Sequence, residues 1–419
     1  MSDDRHSRTA TALSRSYRNT LSVIASADRN LAVAEQEGVM ALCADPDEDR
    51  SVLLPTMRHK KKVIDFVRCS YLGLDNHPLI LEGAIEAVQR CKALHWSCAR
   101  TRLNFSLLGE LEEALSDLFA ARVITYTTVL AANMGALPLL ASGYLTENKR
   151  PTIVFDRLAH ATLAFHKPVV ANETPVETIA HNDLNALEDI CRRNDRVAYV
   201  CDGVYSMGGS APIADLLALQ DRYGLFLYID DAHGISLFGK YGEGFVRSQV
   251  GPALGERTIV AASLGKGFGA SGGLLMLGTP QQEELFRRFS IAYAFSASLN
   301  LAAIGAAMAS QALHRTDELK LRQDALADRL AVFDRIVASK QAGSKLPIRT
   351  IEIGDERQSI RAAAYILNKG FYTSAIFFPT VAKGKAGLRV CPTASHSIRE
   401  IEGLGRAINE ALAERGTGP

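Results

Sequence analysis

Between residues 123 and 278 the chain alternates short β-rich apolar runs with segments of helical periodicity. Strands that alternate with helices in this way form a mainly parallel sheet covered by helices. The pattern therefore predicts an α/β fold for this part of the chain. The clearest strand-like runs are Thr152 to Phe155, Val197 to Cys201, Leu225 to Ile229, Thr258 to Ala262 and Leu274 to Leu277.

Two amphipathic helices are predicted before this region. Apolar residues that recur at helical spacing usually face a core, and proline is favoured in the first turn of a helix. The first helix opens at Pro78, with a stripe formed by Leu81, Ile85 and Val88. The second stripe is formed by Leu111, Leu115, Leu118 and Phe119.

After about residue 300 the pattern changes to that of a smaller α+β unit. It begins with a long Ala-rich helical stretch and contains two strand-like segments, Leu346 to Ile353 and Ala375 to Phe378. Ser397 and Glu400 have the spacing of a capping box for a final helix. We expect an N-terminal arm over residues 1–60, a large domain over 61–300 and a small domain over 301–419. Within the arm, the lysines at 60–62 are interpreted as a solvated turn rather than a phosphate site.

Composition narrows the classes of function. Lys and Arg total 47 against 46 Asp and Glu, so no basic surplus supports nucleic-acid binding. The seven cysteines form no CxxC pair and no zinc spacing, which predicts a protein without a structural metal, in a reducing cytoplasm. The start of the chain does not suit a secretory signal, and no run approaches the ~20 apolar residues of a membrane span.

Polar residues follow several of the predicted strands. Asp156, Asp202, Asp230 and Ser263 each stand at or just past the C-terminal end of a strand-like run. Ligands of open α/β sheets gather at that edge, so one crevice is expected to hold all four residues.

Lys266 and Asp230 indicate a pyridoxal 5′-phosphate (PLP) site within this crevice. Lys266 lies among glycines and three residues after Ser263, a hydroxyl suited to a phosphate. A PLP lysine forms a Schiff base, and a strand-end carboxylate keeps the pyridine nitrogen protonated. For the lysine segment alone, a surface Lys in a flexible glycine loop is an equal alternative. Asp230 and the nearby His233, which suits the phenolic oxygen of the ring, favour PLP.

Two further strand-end turns carry residues for the same ring. Ser206, after the strand that ends near Cys201, is placed to donate to the phenolic oxygen. His160, after the strand that ends at Phe155, is placed to stack on the ring. A hydrogen-bonded structural histidine is the alternative for His160.

These residues resemble the α-oxoamine synthases of PLP fold type I, which include 8-amino-7-oxononanoate synthase, glycine C-acetyltransferase, 5-aminolevulinate synthase and serine palmitoyltransferase. The matching segments occur in the family's order over about residues 60 to 415. They are Tyr71 to Leu74 with His77-Pro78, Ala132-Asn133, Asp156 to Thr162, His181 to Asp183, Asp202 to Gly208, Asp230 to Gly234, Ser263 to Gly269, Phe378 to Val381, Leu388-Arg389, and Ala394 with His396.

The resemblance implies the fold and the site roles. The fold is an aspartate-aminotransferase-like large domain with a mainly parallel, seven-stranded type of sheet, and a smaller α+β domain. Lys266 would form the Schiff base, Asp230 would bind the pyridine nitrogen, His233 and Ser206 the phenolic oxygen, and His160 would stack on the ring. Arg389 would hold the substrate carboxylate. The phosphate ligands implied are Thr128, Val129, Leu130, Ser263 and, from the other subunit of a homodimer, Ser296.

The reaction implied is an acyl transfer. An amino acid loses a proton to Lys266, attacks an acyl thioester of CoA or of a carrier protein, and loses carbon dioxide to give an α-amino ketone. An aldolase, lyase or decarboxylase on the same scaffold stays an alternative, because fold alone does not fix the reaction. A non-catalytic partner subunit is a second alternative, against which the presence of Lys266, Asp230 and His233 argues.

Four departures from the family pattern fall mainly where the substrate is expected. Ser70 replaces an asparagine that helps to hold the substrate carboxylate, and Gly387 replaces the first arginine of an Arg-x-Arg. The segment Leu94–Arg102, with the only tryptophan, Trp96, replaces a glycine-rich stretch, and Val129 replaces a phosphate-loop glycine. We interpret the chain as a specialised member, from secondary-metabolite biosynthesis, rather than as a housekeeping enzyme that has drifted.

Overall fold

The computed structural model of the protein describes residues 20–48, 50–55 and 60–414. Both helices predicted ahead of the sheet are present, and Pro78 is the first residue of the first one. The elements before the sheet are α1 (Thr20–Gln36), β1 (Asp45–Pro46), β2 (Ser51–Pro55), β3 (Lys60–Asp65), α2 (Pro78–Cys91) and α3 (Ser106–Phe119).

The lysines at 60–62 belong to strand β3, so the prediction of a turn was wrong. The strand pairs with β2, and two of the lysines bind acidic side chains near β1. Lys60 Nζ lies 2.5 Å from Asp45 Oδ2, and Lys62 Nζ lies 2.7 Å from Asp47 Oδ2. A run of like charges is compatible with a strand when carboxylates face it.

A seven-stranded sheet forms the centre of the molecule, with strand order β4-β10-β9-β8-β7-β5-β6. All neighbours pair in parallel except those of β10, which is antiparallel to both β9 and β4. The strands are β4 (Arg122–Tyr126), β5 (Thr152–Asp156), β6 (Val176–Ile179), β7 (Val197–Asp202), β8 (Phe226–Asp230), β9 (Thr258–Ser263) and β10 (Gly273–Leu277).

Both faces of this sheet are buried, which explains the continuous apolar runs in its strands. Leu227 of β8 packs into the core on one face, and its neighbour Tyr228 packs into the core on the other. The helices and the one 3₁₀ turn of this region are α4 (Val129–Ala141), α5 (Ala161–Ala164), α6 (Lys167–Ala171), α7 (Leu184–Arg193), α8 (Ile213–Tyr223), the 3₁₀ turn Arg247–Gln249, α9 (Pro280–Phe289) and α10 (Ile291–Ala294).

The C-terminal part adds helices and a small antiparallel sheet of order β11-β14-β13. The capping box of Ser397 and Glu400 is confirmed at the start of the last helix. The elements are α11 (Leu301–Leu313), α12 (Asp317–Ile336), β11 (Arg349–Gly354), α13 (Glu356–Asn368), β12 (Phe371–Tyr372), β13 (Ser374–Ile376), β14 (Ala386–Val390) and α14 (Ile398–Ala413).

Strand β11 begins three residues later than predicted, at Arg349. The fully buried guanidinium of Arg349 binds the carbonyl oxygens of Ser344, Leu346 and Ile348, so those carbonyls do not need a neighbouring strand. Asp334 pairs with the same guanidinium at 2.7 Å. Buried backbone groups must find partners, and here one side chain supplies them.

A third core joins the two ends of the described chain. Ala34 of α1 and Val39 pack with Ile360, Leu388 and Leu404. Strand β3 also pairs in parallel with β12. Helix α11 instead packs on α2 and contributes to the core of the large sheet. The division of the chain at residues 60 and 300 stays a prediction.

The apolar stripe of α2 does not all face a core, contrary to the prediction. Leu81 and Ile85 are 50% and 56% exposed in the single chain, and only Val88 of the stripe packs against the core. Among the helices in the described ranges, none combines the length and apolar character needed to cross a bilayer.

Candidate active site

A cleft of about 350 Å³ opens at the C-terminal edge of the parallel strands. Eight of the twelve residues given site roles line it. Of the four strand-end residues expected in one crevice, Asp202, Asp230 and Ser263 line the cleft, but Asp156 does not. Its carboxylate instead accepts the N–H groups of Leu158 and Asn182 and the hydroxyl of Tyr199. The lining residues are Thr127 to Leu130, His160, Thr162, Asp202, Asp230, Ala232, His233, Ser263, Gly265, Lys266, Ser271 and Gly272.

Lys266 occupies the turn that follows β9. Its Nζ lies 2.8 Å from Nε2 of His233. Burial lowers the pKa of Lys266, so its amine loses a proton more readily than that of a surface lysine. Gly269 shapes this turn: it has φ +76°, and a Cβ there would lie 2.3 Å from Cβ of Leu74.

Asp230, the last residue of β8, is held from two sides. Its Oδ1 accepts the N–H of Ala232 at 3.0 Å, and its Oδ2 lies 3.4 Å from Nδ2 of Asn133 on α4. Asn133 is itself oriented by Tyr228, whose hydroxyl donates to Oδ1 of Asn133 at 2.7 Å. The carboxylate is therefore fixed at the cleft without a cationic partner of its own.

His233 links Lys266 to a buried tyrosine. Its Nδ1 lies 2.6 Å from the hydroxyl of Tyr71. Burial, followed by the positive charge of Lys266, holds the pKa of His233 well below its usual range, so the ring is neutral. Both ring nitrogens are satisfied in either neutral tautomer. In one, Nδ1 accepts the Tyr71 hydroxyl proton and Nε2–H donates to an uncharged Lys266 amine; in the other, Nδ1–H donates to Tyr71 and Nε2 accepts an N–H of the protonated amine.

His160 also lines the cleft. Its backbone N–H donates to Oδ2 of Asp202 at 2.8 Å, and its Nδ1 lies 2.9 Å from the hydroxyl of Thr162. Burial lowers the pKa of His160. Burial and the charge of Asp230 raise the pKa of Asp202 well above its ordinary value. A flat, neutral imidazole here can stack on an aromatic ring.

The N-terminus of α4 forms one end of the cleft. Thr128 caps the helix and accepts the N–H of Ala131 at 3.1 Å, so Val129 and Leu130 present the first free N–H groups. Gly273, the first residue of β10, lets the backbone of that strand approach the start of α4 closely, because a Cβ on Gly273 would lie 2.5 Å from N of Val129. A helix N-terminus favours an anion such as phosphate. With the amine, carboxylate and imidazole described above, the residues present fit PLP.

Four of the residues given site roles do not line this cleft. The Arg389 guanidinium donates to the carbonyl of Ser206 at 2.8 Å, so the structure brings this pair together through the backbone of Ser206. Ser70 is buried, and its hydroxyl accepts the N–H of Asp75 at 3.3 Å. The hydroxyl of Ser296 donates to the carbonyl of Ala292. The ligand roles given to these four side chains stay predictions.

Several residues of the site were not assigned roles from the sequence. Asn133 carried a usable signal, because it is a single buried polar side chain within the apolar helix α4. Tyr71 carried none, since its partner His233 is remote in the chain. Cys69, which was also given no role, contacts the predicted carboxylate-binding residue Arg389: its Sγ lies 3.6 Å from Nη2 of Arg389. Within the described ranges, no group of three or more His, Cys, Asp or Glu side chains is placed to hold a metal ion.

The structure accounts for one departure from the family pattern. Gly387 lies in β14 opposite β11, and a Cβ there would be 2.1 Å from the carbonyl oxygen of Ile351. An arginine does not fit this position. In the segment Leu94–Arg102, Trp96 is 56% exposed and contacts the ring of Phe105 at a centroid distance of 4.1 Å.

Comparison with known proteins agrees with this geometry. The family model of aminotransferase class I and II matches residues 61–408. An 8-amino-7-oxononanoate synthase of Aromatoleum aromaticum is 30% identical over 383 residues, which cover 87% of this chain and 94% of that protein. The corresponding protein of a Marinomonas strain is 28% identical over 366 residues, covering 86% and 88% of the two chains.

Solved structures agree on the fold. A serine palmitoyltransferase of S. paucimobilis, with a bound PLP–myriocin aldimine, superimposes with a TM-score of 0.82 at 20% identity, covering 96% of this chain and all of that one. The serine palmitoyltransferase of Sphingomonas wittichii gives 0.81 at 21% identity, with 95% and 100% covered. The predicted PLP fold type I is confirmed. The chain belongs to the aminotransferase class I and II family, and within it to the PLP-dependent α-oxoamine synthases.

Proposed function

We propose that the cleft at Lys266 condenses an amino acid with an acyl thioester and releases carbon dioxide, a free thiol and an α-amino ketone. The observation that carries this proposal is the contact of 2.8 Å between Lys266 and a neutral His233, next to the fixed carboxylate of Asp230. PLP bound here would supply an electron sink for the Cα of the amino acid. The remaining steps are assigned to side chains of this chain.

Lys266 would serve two purposes. Its Nζ would hold the cofactor between turnovers, and during turnover it would take the proton from Cα of the amino acid. An amine transfers protons well near neutral pH only if its pKa is lowered, and burial lowers that of Lys266. His233, positioned by Tyr71, would keep the amine oriented toward the reacting carbon.

Asp230 would face the pyridine nitrogen of the cofactor, and Asn133 would keep the carboxylate oriented. His160 would cover one face of the ring. The phosphate would accept the N–H groups of Val129 and Leu130, with the hydroxyl groups of Thr128 and Ser263 alongside.

Arg389 would hold the carboxylate of the amino acid. Its Nε already donates to the carbonyl of Ser206, so only part of the guanidinium fork is left for substrate. Ser70, where the family has asparagine, offers a shorter side chain, already bonded to Asp75. These differences support a specialised amino acid substrate and a pathway of secondary metabolism.

The exposed apolar side chains support a homodimer. Phe289, Ile291 and Phe295 are 66%, 56% and 79% exposed and lie just before Ser296 in the sequence, and α2 exposes Leu81 and Ile85. Patches of this kind mark interaction surfaces. Ser296 lies outside the cleft of its own chain, and its hydroxyl would exchange its bond to Ala292 for one to the phosphate of a second copy.

Mixed dimers test this arrangement. Lys266→Ala and Ser296→Asp proteins should each be inactive, the second because its charge repels phosphate. If Ser296 serves the other subunit, each hybrid dimer has one intact site, and random reassociation restores about a quarter of wild-type activity. Activity that stays at the level of the single variants would contradict the shared site.

The experiment that tests the function is spectroscopic. Protein with bound PLP should absorb light at the short-wavelength edge of the visible range. Borohydride should reduce the Schiff base, so that the peptide containing Lys266 gains the mass of the cofactor. Lys266→Ala should lose both signals. Lys167→Ala is the matched control, because burial also lowers the pKa of Lys167 but its Nζ bonds to Thr178 outside the cleft.

A screen follows with amino acids and acyl thioesters. Release of free CoA or carrier-protein thiol, dependent on one amino acid, supports the acyl transfer. Turnover of an amino acid without a thioester would instead indicate a lyase or decarboxylase. Equal turnover of glycine with acetyl-CoA and of all other pairs would contradict specialisation.

The described cysteines are all free thiols, which supports a reducing compartment such as the cytoplasm.

A further inference from the structure

Two cysteines meet at the arginine that the proposed function gives to the substrate carboxylate. Cys69 Sγ lies 3.6 Å from Nη2 of Arg389. Cys391 follows Arg389 by two positions, so its side chain leaves the chain on the same side. Its N–H donates to the carbonyl of Phe66, which draws residue 391 toward the segment that contains Cys69. Cys391 also belongs to the buried apolar cluster against which Cys69 packs.

The two sulfurs have different surroundings. Cys69 is half-buried, whereas Cys391 is fully buried. The neighbouring thiol of Cys391, followed by the charge of Arg389, lowers the pKa of Cys69. The neighbouring Cys69 and burial raise the pKa of Cys391 well above its ordinary value. A partly accessible thiolate beside a protonated thiol is the usual arrangement of a reactive and a resolving cysteine.

We propose that Cys69 and Cys391 form a reversible oxidation site, at which a hydroperoxide produces a disulfide that closes the carboxylate site of Arg389. Nothing in the acyl transfer requires either sulfur. Neither cysteine belongs to the lysine, aspartate and histidine group of the cleft.

The chemistry balances with one hydroperoxide. The Cys69 thiolate attacks the terminal peroxide oxygen, breaks the O–O bond and becomes a sulfenic acid, while the hydroperoxide is reduced to an alcohol, or to water if it is hydrogen peroxide. The Cys391 sulfur then attacks the Cys69 sulfur, the S–O bond breaks, and the Cys391 proton leaves with the oxygen as water. A dithiol reductant reverses the change by thiol–disulfide exchange.

The disulfide changes the groups that lie next to the Arg389 guanidinium. Bonded sulfurs approach to about 2.05 Å, so both side chains must move from the positions they hold as free thiols. The thiolate beside the guanidinium is lost, and the segment from Cys69 to Tyr71, which ends at the partner of His233, is drawn toward β14. The effect on substrate rests on the proposed function of Arg389, whereas the oxidation itself does not.

Peptide mapping of the holoenzyme after brief exposure to hydrogen peroxide tests the oxidation. We expect a linked peptide pair containing Cys69 and Cys391, lighter by about 2 Da than the two reduced peptides. The exposed Cys43 and Cys98 are internal references, and Cys69 should oxidise faster than both. If Cys69 and Cys391 remain free thiols while Cys43 and Cys98 are oxidised, the proposal is wrong.

Two variants separate the roles of the sulfurs. In Cys391→Ser, the sulfenic acid on Cys69 should persist and react with dimedone. In Cys69→Ser, the buried Cys391 should resist peroxide. Rapid oxidation of Cys391 in the second variant would contradict the assignment of Cys69 as the reactive sulfur.

The last readout is the spectral shift of bound PLP when an amino acid is added. The disulfide should reduce that shift at least tenfold, and dithiothreitol should restore it. Disulfide formation with an unchanged shift would refute closure of the carboxylate site. If no amino acid shifts the reduced enzyme, the proposed function fails instead, and peptide mapping still decides the oxidation.

Discussion

Asp230 and Asp231 are neighbours in sequence with opposite surroundings. Asp230 faces the cleft, whereas Asp231 is fully buried, and burial raises its pKa to about 8. Asp231 Oδ2 accepts the N–H of Val246 at 3.0 Å, and its Oδ1 has no hydrogen-bond partner. At neutral pH Asp231 is therefore mostly a neutral carboxylic acid, close in shape and charge to asparagine.

The pair gives a matched test at the cleft. Asp230→Asn should weaken PLP binding about 10- to 100-fold, because a hydrogen bond to a charged group is lost. Asp231→Asn should leave PLP affinity within about twofold, since the neutral side chain is nearly isosteric. Absorbance titration of the two apoproteins measures both values. Equal weakening by the two changes would argue against contact between Asp230 and the cofactor.

The hydroxyl of Tyr71 provides a second test. Tyr71→Phe removes the bond of 2.6 Å to Nδ1 of His233 and leaves that buried nitrogen without its partner. Turnover should fall about tenfold, with the fold retained. Tyr365→Phe is the control, because the Tyr365 hydroxyl binds Glu410 at the surface. Steady-state rates of both variants test this expectation. Unchanged turnover of Tyr71→Phe would exclude a role of the Tyr71 hydroxyl in positioning His233.

At the residue scale, the sequence predicted site residues that follow strands of the large sheet better than contacts between other remote segments. Asp230, His233 and Lys266 follow strands of one sheet, and parallel strands bring their C-terminal ends to one edge. The contacts of Tyr71 with His233 and of Cys69 with Arg389 join remote segments. No local pattern encodes such pairs, so they required the structure.

At the scale of elements, α2 and α11 pack with their backbones in contact. A Cβ on Gly305 would lie 2.1 Å from the carbonyl oxygen of Gly83. Gly305→Ala should therefore destabilise the protein by about 1–3 kcal/mol through overpacking. Gly109→Ala in α3, with nothing near its Cβ, should be neutral or stabilise by up to about 1 kcal/mol. Urea unfolding of both variants measures the difference, and similar changes would contradict the close approach.

Element types were predicted well where burial was uniform. The strands of the large sheet are covered on both faces, so their apolar runs were unambiguous. Periodicity on α2 indicated an apolar face but not what covers it, and Leu81 and Ile85 are exposed. The late start of β11 depends on the side chain of Arg349, which replaces strand pairing by its own hydrogen bonds.

At the scale of the whole molecule, the raised pKa of Asp231 makes stability depend on pH. The folded state keeps a proton on Asp231 up to about pH 8, whereas the unfolded chain loses it near its ordinary pKa of about 3.9. The contribution is therefore complete below pH 4 and is lost as pH rises toward 8.

The substitution Asp231→Asn removes the pH dependence of stability that Asp231 causes. Relative to wild type, the variant should gain stability as pH rises from 5 to 8, by up to about 1.4 kcal/mol per pH unit. Denaturant unfolding of the two proteins at several pH values measures the difference, in which the other titrating groups largely cancel. A difference that does not change with pH would show that Asp231 is ionised in the folded protein.

The parallel pairing of β3 with β12 also sets a delay during synthesis. Ile64 pairs with Phe371, so β3 waits for about 310 more residues to be made, or about 15 to 60 s at 5–20 residues per second. Over that time Ala34, Val39 and Phe66 have emerged before most of the core that covers them. The nascent chain therefore carries an open strand edge and bare apolar residues until translation is almost complete, and we expect chaperones to bind α1 and β3 during that time.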